Sequence, residues 1–154
     1  MPENAASSAV QHPGVFTCAL PMRWGDMDAL GHMNNAVYFR FFEEARVRLL
    51  AHLSGFGPGA ATNEPGRVSV LAHTSCDFLK PVIYPATLLV TQSLIRLGRT
   101  SLEMRIEMQR DDEPGVVYAK GRYVVVGADA STGRPVPWSD QQIETLKHVF
   151  DVSA

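Results

Sequence analysis

Hydrophobic and polar residues alternate along five stretches of this chain, a period that is typical of β-strands. The first stretch covers residues 15–24. Four longer stretches follow in the second half of the chain, over residues 68–78, 87–97, 101–110 and 116–128. Turn signals such as Gly98-Arg99 and the run from Asp111 to Gly115 separate them, so neighbouring strands are predicted to pair antiparallel.

One long helix is predicted between the first strand and the other four, because apolar residues recur there every three or four positions. These positions are Tyr38, Phe41, Phe42, Ala45, Leu49 and Leu53, which places the helix over residues 36–53. A short helix is predicted to end near Phe150, after the capping pattern of Ser139 and Gln142. A long apolar helix beside antiparallel strands indicates an α+β fold in which the sheet curls around the helix.

Length, charge and cysteine content narrow the class of protein. The chain has 154 residues, a formal net charge of −2 and two cysteines, Cys18 and Cys76. We expect a flexible leader over residues 1–13 and a single cytoplasmic domain over 14–154. Neither a membrane span nor a nucleic acid partner is expected. Without a CxxC motif, both thiols are expected to be reduced and buried.

The loop before the long helix combines residue types that suit acyl chemistry. Asp26 and Asp28 lie two residues apart, and Gly31 permits a tight turn with a left-handed backbone. Asn34 and Asn35 follow, and both are predicted to cap the helix. A carboxylate therefore lies beside the unpaired N–H groups of a helix N-terminus, which can stabilise a developing negative charge.

This loop resembles that of the hotdog-fold acyl-CoA thioesterases of the 4-hydroxybenzoyl-CoA thioesterase-like family. The matching residues are Trp24, Asp26, Asp28, Gly31, His32, Met33, Asn34, Asn35 and Tyr38, followed by Glu44-Ala45-Arg46. A second match is the run Cys76-Asp77-Phe78-Leu79-Lys80-Pro81-Val82. The resemblance implies a hotdog fold, in which a curved antiparallel sheet of about five strands wraps a long central helix. In this chain a short C-terminal helix is added.

The resemblance also implies roles for individual residues. Asp28 is expected to attack the thioester carbonyl or to activate water, and the helix N-terminus at Asn34 and Asn35 is expected to bind the carbonyl oxygen. Asp26 is interpreted as a loop residue that accepts backbone hydrogen bonds. The residues expected to contact the substrate are Gly31, His32, Tyr38, Lys80 and Arg99.

Two glutamates on the helix are rivals to Asp28, because other hotdog branches carry their acid there. Glu43 and Glu44 are interpreted instead as part of a salt-bridged helix face. Their candidate partners are Arg40, Arg46, Arg48 and Lys80. Neither a metal nor an organic cofactor is expected, since no second histidine cluster accompanies Asp26, Asp28 and His32.

The expected activity is hydrolysis of an acyl thioester of CoA or of an acyl carrier protein, with a fatty acyl group favoured over an aryl group. Two alternatives stay open, a hotdog dehydratase and a domain that binds acyl-CoA without catalysis. We expect a homodimer, and the sequence leaves open whether two dimers pair further into a tetramer. The basic residues expected to hold the CoA phosphates are Lys80, Arg96, Arg99 and Arg122.

Overall fold

The computed structural model describes residues 11–12, 14–53, 55–56 and 65–152. Its strands are β1 (Gln11–His12), β2 (Val15–Pro21), β3 (Arg67–Phe78), β4 (Thr87–Leu97), β5 (Ser101–Arg110) and β6 (Val117–Asp129). The helices are α1 (Asn35–His52) and α2 (Asp140–Phe150), and no described helix is long and apolar enough to cross a membrane. Most of the predicted leader lies outside the described residues.

The strands form one antiparallel sheet in the order β1-β2-β4-β5-β6-β3. Five of them are long, and β1 adds only two residues beside β2. The sheet wraps α1, which confirms the predicted α+β hotdog fold. The predicted strand positions are confirmed to within one residue for β3, β4, β5 and β6.

The core lies between α1 and the inner face of the sheet. Alternate residues of β4 and β5 are fully buried there: Leu88, Val90, Leu102, Met104, Ile106 and Met108. The buried stripe of α1 contains Tyr38, Phe41, Phe42, Ala45 and Leu49, as the period predicts. Burial of each large apolar side chain contributes about 1.5–3 kcal/mol, so this interface holds α1 firmly against the sheet.

A buried polar network joins α1 to two strands. The side-chain amide of Gln92 on β4 donates to the carbonyl oxygen of Ala45 at 2.9 Å. The hydroxyl of Tyr123 on β6 donates to the Gln92 side-chain oxygen at 2.6 Å. Leaving one of these buried groups unpaired would cost about 1–3 kcal/mol, so the network fixes the position of α1 over the sheet.

β2 ends at Pro21, three residues before the predicted end of this strand at Trp24. The reason is a tight turn: Asp26 Oδ2 accepts a hydrogen bond from the Arg23 N–H at 2.8 Å, and residues 24–26 form a 3₁₀ turn. Trp24 is therefore exposed rather than part of the sheet. This turn directs the chain from β2 into the loop before α1.

The start of α2 matches the predicted capping box. The Ser139 hydroxyl accepts a hydrogen bond from the Gln142 N–H at 3.1 Å, and the Gln142 side chain accepts one from the Ser139 N–H at 3.0 Å. These two bonds satisfy backbone donors that a helix N-terminus otherwise leaves open. α2 packs on the core through Leu146 and Phe150.

The edge strand β3 is the least covered strand of the sheet. Its exposed apolar residues include Val68, Val70, Leu71 and Phe78. Cys76 on this strand is only half-buried, so the predicted burial of both thiols is correct for Cys18 and wrong for Cys76. The reason is that β3 is an edge strand with only β6 as a neighbour.

Candidate active site

Asp28 is held in a tight turn between β2 and α1. Its Oδ1 accepts a hydrogen bond from the Leu30 N–H at 2.9 Å, and its carbonyl oxygen accepts one from the Gly31 N–H at 3.1 Å. Gly31 has φ +83°, the left-handed conformation predicted from the sequence. The side chain is half-buried, and no described residue donates to its second oxygen, Oδ2. That oxygen is available for chemistry.

Asp26, by contrast, is almost completely enclosed and serves the backbone. Only 5% of the residue is exposed. Its carboxylate accepts the Arg23 N–H, and its carbonyl oxygen accepts the Asn34 N–H at 3.0 Å. These contacts connect the end of β2 to the start of α1, which is the loop-holding role inferred from the sequence.

The N-terminus of α1 leaves one donor open. Asn34 is the N-cap: its side chain accepts the Ala36 N–H at 2.9 Å, and its carbonyl oxygen accepts the Val37 N–H at 2.9 Å. Asn35 does not cap the helix as predicted, because it is already the first helical residue. Among the described residues, none accepts a hydrogen bond from the Asn35 N–H. This donor is therefore available to a ligand.

A cleft of about 120 Å³ opens beside this donor. It is lined by His32, Asn35, Tyr38, Phe78, Leu79, Lys80 and Pro81. Four predicted site residues thus meet in one place. Asp28 lies directly beside the cleft, because its N–H donates to the carbonyl oxygen of His32 at 3.1 Å. The rings of Tyr38 and Phe78 meet edge to face with centroids 5.0 Å apart, and burial raises the pKa of the Tyr38 hydroxyl.

Lys80 is held at the rim of the cleft by β6 and the turn that precedes it. Its ammonium lies 3.4 Å from Glu113 Oε1 and 4.8 Å from the centroid of the Tyr118 ring. The Tyr118 hydroxyl donates to the other oxygen of Glu113. The sequence did not reveal Glu113, which falls in the turn from Asp111 to Gly115 and carries no motif. Lys80 is therefore a cation at the rim of the cleft whose charge is paired with that of Glu113.

The other basic candidates lie away from this cleft in the same protomer. Arg99 is in the turn between β4 and β5, at one end of the sheet. The N-terminus of α1 adjoins the opposite end. Arg96 and Arg122 both pair with Glu103, at 3.7 and 2.9 Å. Of the four basic residues named from the sequence, the chain folds only Lys80 into the cleft.

The rival glutamates have partners on the helix itself. Glu44 pairs with Arg48 at 2.8 Å, and Glu43 lies 3.9 Å from Arg46. The sequence predicts Lys80 as a further partner of these glutamates. This prediction is wrong, because Lys80 pairs with Glu113. Both glutamates line a separate groove of about 410 Å³ between α1 and the end of β2. Neither of them lines the cleft at Asn35.

No metal site accompanies these residues in the part of the chain that the structure describes. No group of three or more histidine, cysteine, aspartate or glutamate residues lies close enough together there to hold an ion. The site offers instead two donors, a backbone N–H and an ammonium, and one carboxylate acceptor, a set suited to an anionic or carbonyl-bearing ligand.

Comparison with known proteins identifies the family of this chain. The model of the thioesterase-like superfamily matches residues 22–146. The uncharacterized protein YsmA of Bacillus subtilis is 29% identical over 134 residues, which cover 86% of each chain. The PA2801 protein of Pseudomonas aeruginosa is 34% identical with a TM-score of 0.72, over 80% of this chain and 92% of that chain. A thioesterase of Thermus thermophilus, solved with coenzyme A and zinc, is 28% identical with a TM-score of 0.74, over 94% of this chain and 100% of that chain. This chain therefore belongs to the thioesterase-like superfamily.

Proposed function

We propose that this protein hydrolyses acyl-CoA thioesters, with an aliphatic acyl group, to the free acid and CoA. The observation that carries the proposal is the Asn35 N–H, a helix N-terminal donor with no acceptor among the described residues. The turn just before it holds Asp28, whose backbone bonds to that of His32 in the same cleft. Lys80 at the rim of the same cleft supports an anionic carrier such as CoA. The Thermus thermophilus relative solved with coenzyme A supports the same choice of carrier.

The proposed reaction uses both the Asn35 N–H and the Asp28 carboxylate. The thioester carbonyl oxygen accepts a hydrogen bond from the Asn35 N–H, where the α1 dipole stabilises its developing negative charge. Asn34 accepts the N–H groups of Ala36 and Val37, which leaves the N–H of Asn35 for the substrate. Asp28 Oδ2 acts either as the nucleophile or as the general base for water.

Both routes reach the same products. As a nucleophile, Asp28 adds to the carbonyl carbon, the carbon–sulfur bond breaks, and water then opens the acyl anhydride. As a base, Asp28 takes a proton from the water that adds to the carbonyl carbon. Water supplies the hydroxyl of the product acid, and its proton ends on the CoA sulfur. Gly31 shapes the turn that presents Asp28, while His32 and Tyr38 form walls of the cleft.

The test is a direct assay of purified protein with acyl-CoA esters of increasing chain length, followed by thiol release. We expect one equivalent of CoA thiol for each equivalent of free acid. A dehydratase would convert a 3-hydroxyacyl-CoA to the enoyl ester without releasing thiol, and a binding domain would leave the ester intact. Including a 3-hydroxyacyl-CoA among the esters therefore separates the three possibilities.

We further propose a homodimer in which β3 pairs with β3 of a second copy. The support is the row of exposed apolar residues on and after this edge strand: Val68, Val70, Leu71, Phe78 and Leu79. An uncovered apolar edge strand promotes pairing with another chain. Light scattering at micromolar concentration should give twice the mass of one chain. Val70→Lys should shift the protein toward monomer and lower its thioesterase activity.

Ile95→Lys is the matched control for that variant. Ile95 is exposed to a similar degree, 44% against 49% for Val70, but it lies in a bulge of β4, away from the β3 edge of the sheet. A charge at this position should leave the mass unchanged. A wild-type monomer with full activity would contradict the proposed dimer.

Salt dependence should reveal the electrostatic part of CoA binding. Because salt screens exposed charges, KM for a CoA ester should rise with ionic strength more than KM for the matching pantetheine ester, which lacks the nucleotide phosphates. Lys80→Met should remove much of that difference, whereas Arg99→Met should not. Equal salt dependence of the two esters in the wild type would argue against phosphate binding by this surface.

A further inference from the structure

A buried arginine on α1 has no hydrogen-bond acceptor in the described part of the chain. The Arg46 side chain is only 10% exposed, and its nearest anion is Glu43 at 3.9 Å, beyond hydrogen-bond distance. Its guanidinium lies 5.4 Å from the centroid of the Tyr123 ring, and burial lowers its pKa. No fully buried side-chain nitrogen of the described residues lacks a partner, so the Arg46 nitrogens that meet no protein acceptor keep an opening to solvent. Arginine stays cationic in proteins and offers five donors, so a ligand that enters by this opening can supply the acceptor.

The space next to Arg46 is an open trough between α1 and β3. On β3, Phe78, Cys76 and Thr74 lie opposite Ala119, Gly121 and Tyr123 of β6. Directly opposite residues in a sheet point to the same face, and both Ala119 and Tyr123 are buried on the face that α1 covers. The three β3 residues therefore face inward as well, yet none of them is buried. We call this strip, bounded by Tyr38 and Arg46 on α1, the β3 trough.

The β3 trough connects the proposed active site with Arg46. At one end the Tyr38 and Phe78 rings, which line the cleft at Asn35, are in contact. At the other end the guanidinium of Arg46 lies over Tyr123, the residue opposite Thr74. Arg46 follows Tyr38 by eight residues, which is about 12 Å along a helix. Thr74 precedes Phe78 by four residues, about 13 Å along a strand. The two walls therefore agree in length.

We propose that Arg46 binds a carboxylate at the far end of the acyl group, so that the preferred substrates are ω-carboxyacyl thioesters. This inference rests on the proposed function and names the acyl class for the same site. The rings of Tyr38 and Phe78 suit the methylenes of the chain, and a guanidinium matches a carboxylate with two parallel hydrogen bonds. Glu43 does not fill this role, because its side chain is 69% exposed and can turn to solvent.

Binding of thioether analogues of CoA tests the inference without any thioester cleavage. Each S-(ω-carboxyalkyl)-CoA is compared by calorimetry with the S-alkyl-CoA of equal length, in two-carbon steps. The wild type should prefer the carboxylated analogue by about tenfold to a hundredfold, the range for hydrogen bonds to charged groups. The preference should be greatest for chains that span about 12 Å. A protein that binds these analogues but cleaves no thioester would refute the proposed hydrolysis and leave the Arg46 site standing.

Variants of Arg46 test whether its guanidinium causes the preference for the carboxylated analogue. Arg46→Met keeps most of the apolar stem and should abolish the preference for the carboxylate, while Arg46→Lys should restore part of it. Arg40→Met is the matched control, because Arg40 is an exposed arginine of α1 that lines the other groove. Equal affinity of the wild type for both analogues would overturn the proposal, whatever the variants do. So would a change in dimer mass in Arg46→Met with the preference intact, which would assign Arg46 to the subunit interface.

Discussion

Replacing Asp28 by asparagine should lower kcat by at least about a hundredfold, the lower end of what positioned acid–base groups contribute. The asparagine side-chain oxygen can still accept the Leu30 N–H, so the turn that holds residue 28 should keep its shape. What the variant loses is the negative charge and the reactive second oxygen. KM should change little, because the Asn35 N–H and Lys80 are untouched. Steady-state kinetics of thiol release measure both parameters.

Asp26→Asn is the matched control, two residues away in the same loop. Asp26 is enclosed and accepts the Arg23 N–H, so this variant should lower stability by about 1 kcal/mol and affect kcat less. The two aspartates should thus separate, one by rate and the other by melting temperature. If Asp28→Asn turns over normally while Glu43→Gln or Glu44→Gln abolishes activity, the catalytic acid lies on α1 and the assignment of Asp28 is wrong.

The largest expected loss of stability comes from Gly121→Ala on β6. A Cβ at this position would lie 1.9 Å from the carbonyl oxygen of Ser75 and 2.9 Å from its carbonyl carbon. Both are backbone atoms of β3, so no side chain can turn aside to make room. We expect a cost of about 3 kcal/mol, the upper end for overpacking. For a domain of this size, that lowers Tm by about 6–12 °C.

Gly25→Ala provides the comparison, because a Cβ there meets no atom within 4 Å. Its Tm should stay close to that of the wild type in the same calorimetric experiment. Since β3 also carries the exposed apolar edge, Gly121→Ala should weaken dimer formation as well. A Gly121→Ala protein as stable as Gly25→Ala would show that β3 does not pack against β6 at this point.

Periodicity and local turn chemistry predicted most of the fold. The apolar stripe of α1 and the alternation in β4 and β5 are long and regular, so the packing they indicate is the packing found. The Ser139 capping box and the left-handed Gly31 were predictable because both depend on neighbours within a few residues. His32 and Asn35 belong to the same loop motif, and both line the cleft.

Long-range contacts were out of reach of the same reasoning. Lys80 pairs with Glu113, which is far away in the chain and lies in a turn without a motif. Charge alone predicts that Arg99 lies near Lys80, but Arg99 is in the turn between β4 and β5, at the other end of the sheet. The helix pattern predicts that Arg46 pairs with glutamates, because such a pattern does not show that the side chain is buried against Tyr123.

We propose that an acyl thioester is hydrolysed beside Asp28 and the Asn35 N–H. The most direct test is quantitative analysis of thiol and free acid after incubating wild-type protein and Asp28→Asn separately with the same acyl-CoA. We predict that the wild type releases the two products in equal amounts over many turnovers. We predict that Asp28→Asn, although folded, releases them at least about a hundredfold more slowly. Absence of thiol release by the wild type from all the acyl-CoA esters, or equal release by both proteins, would contradict this account.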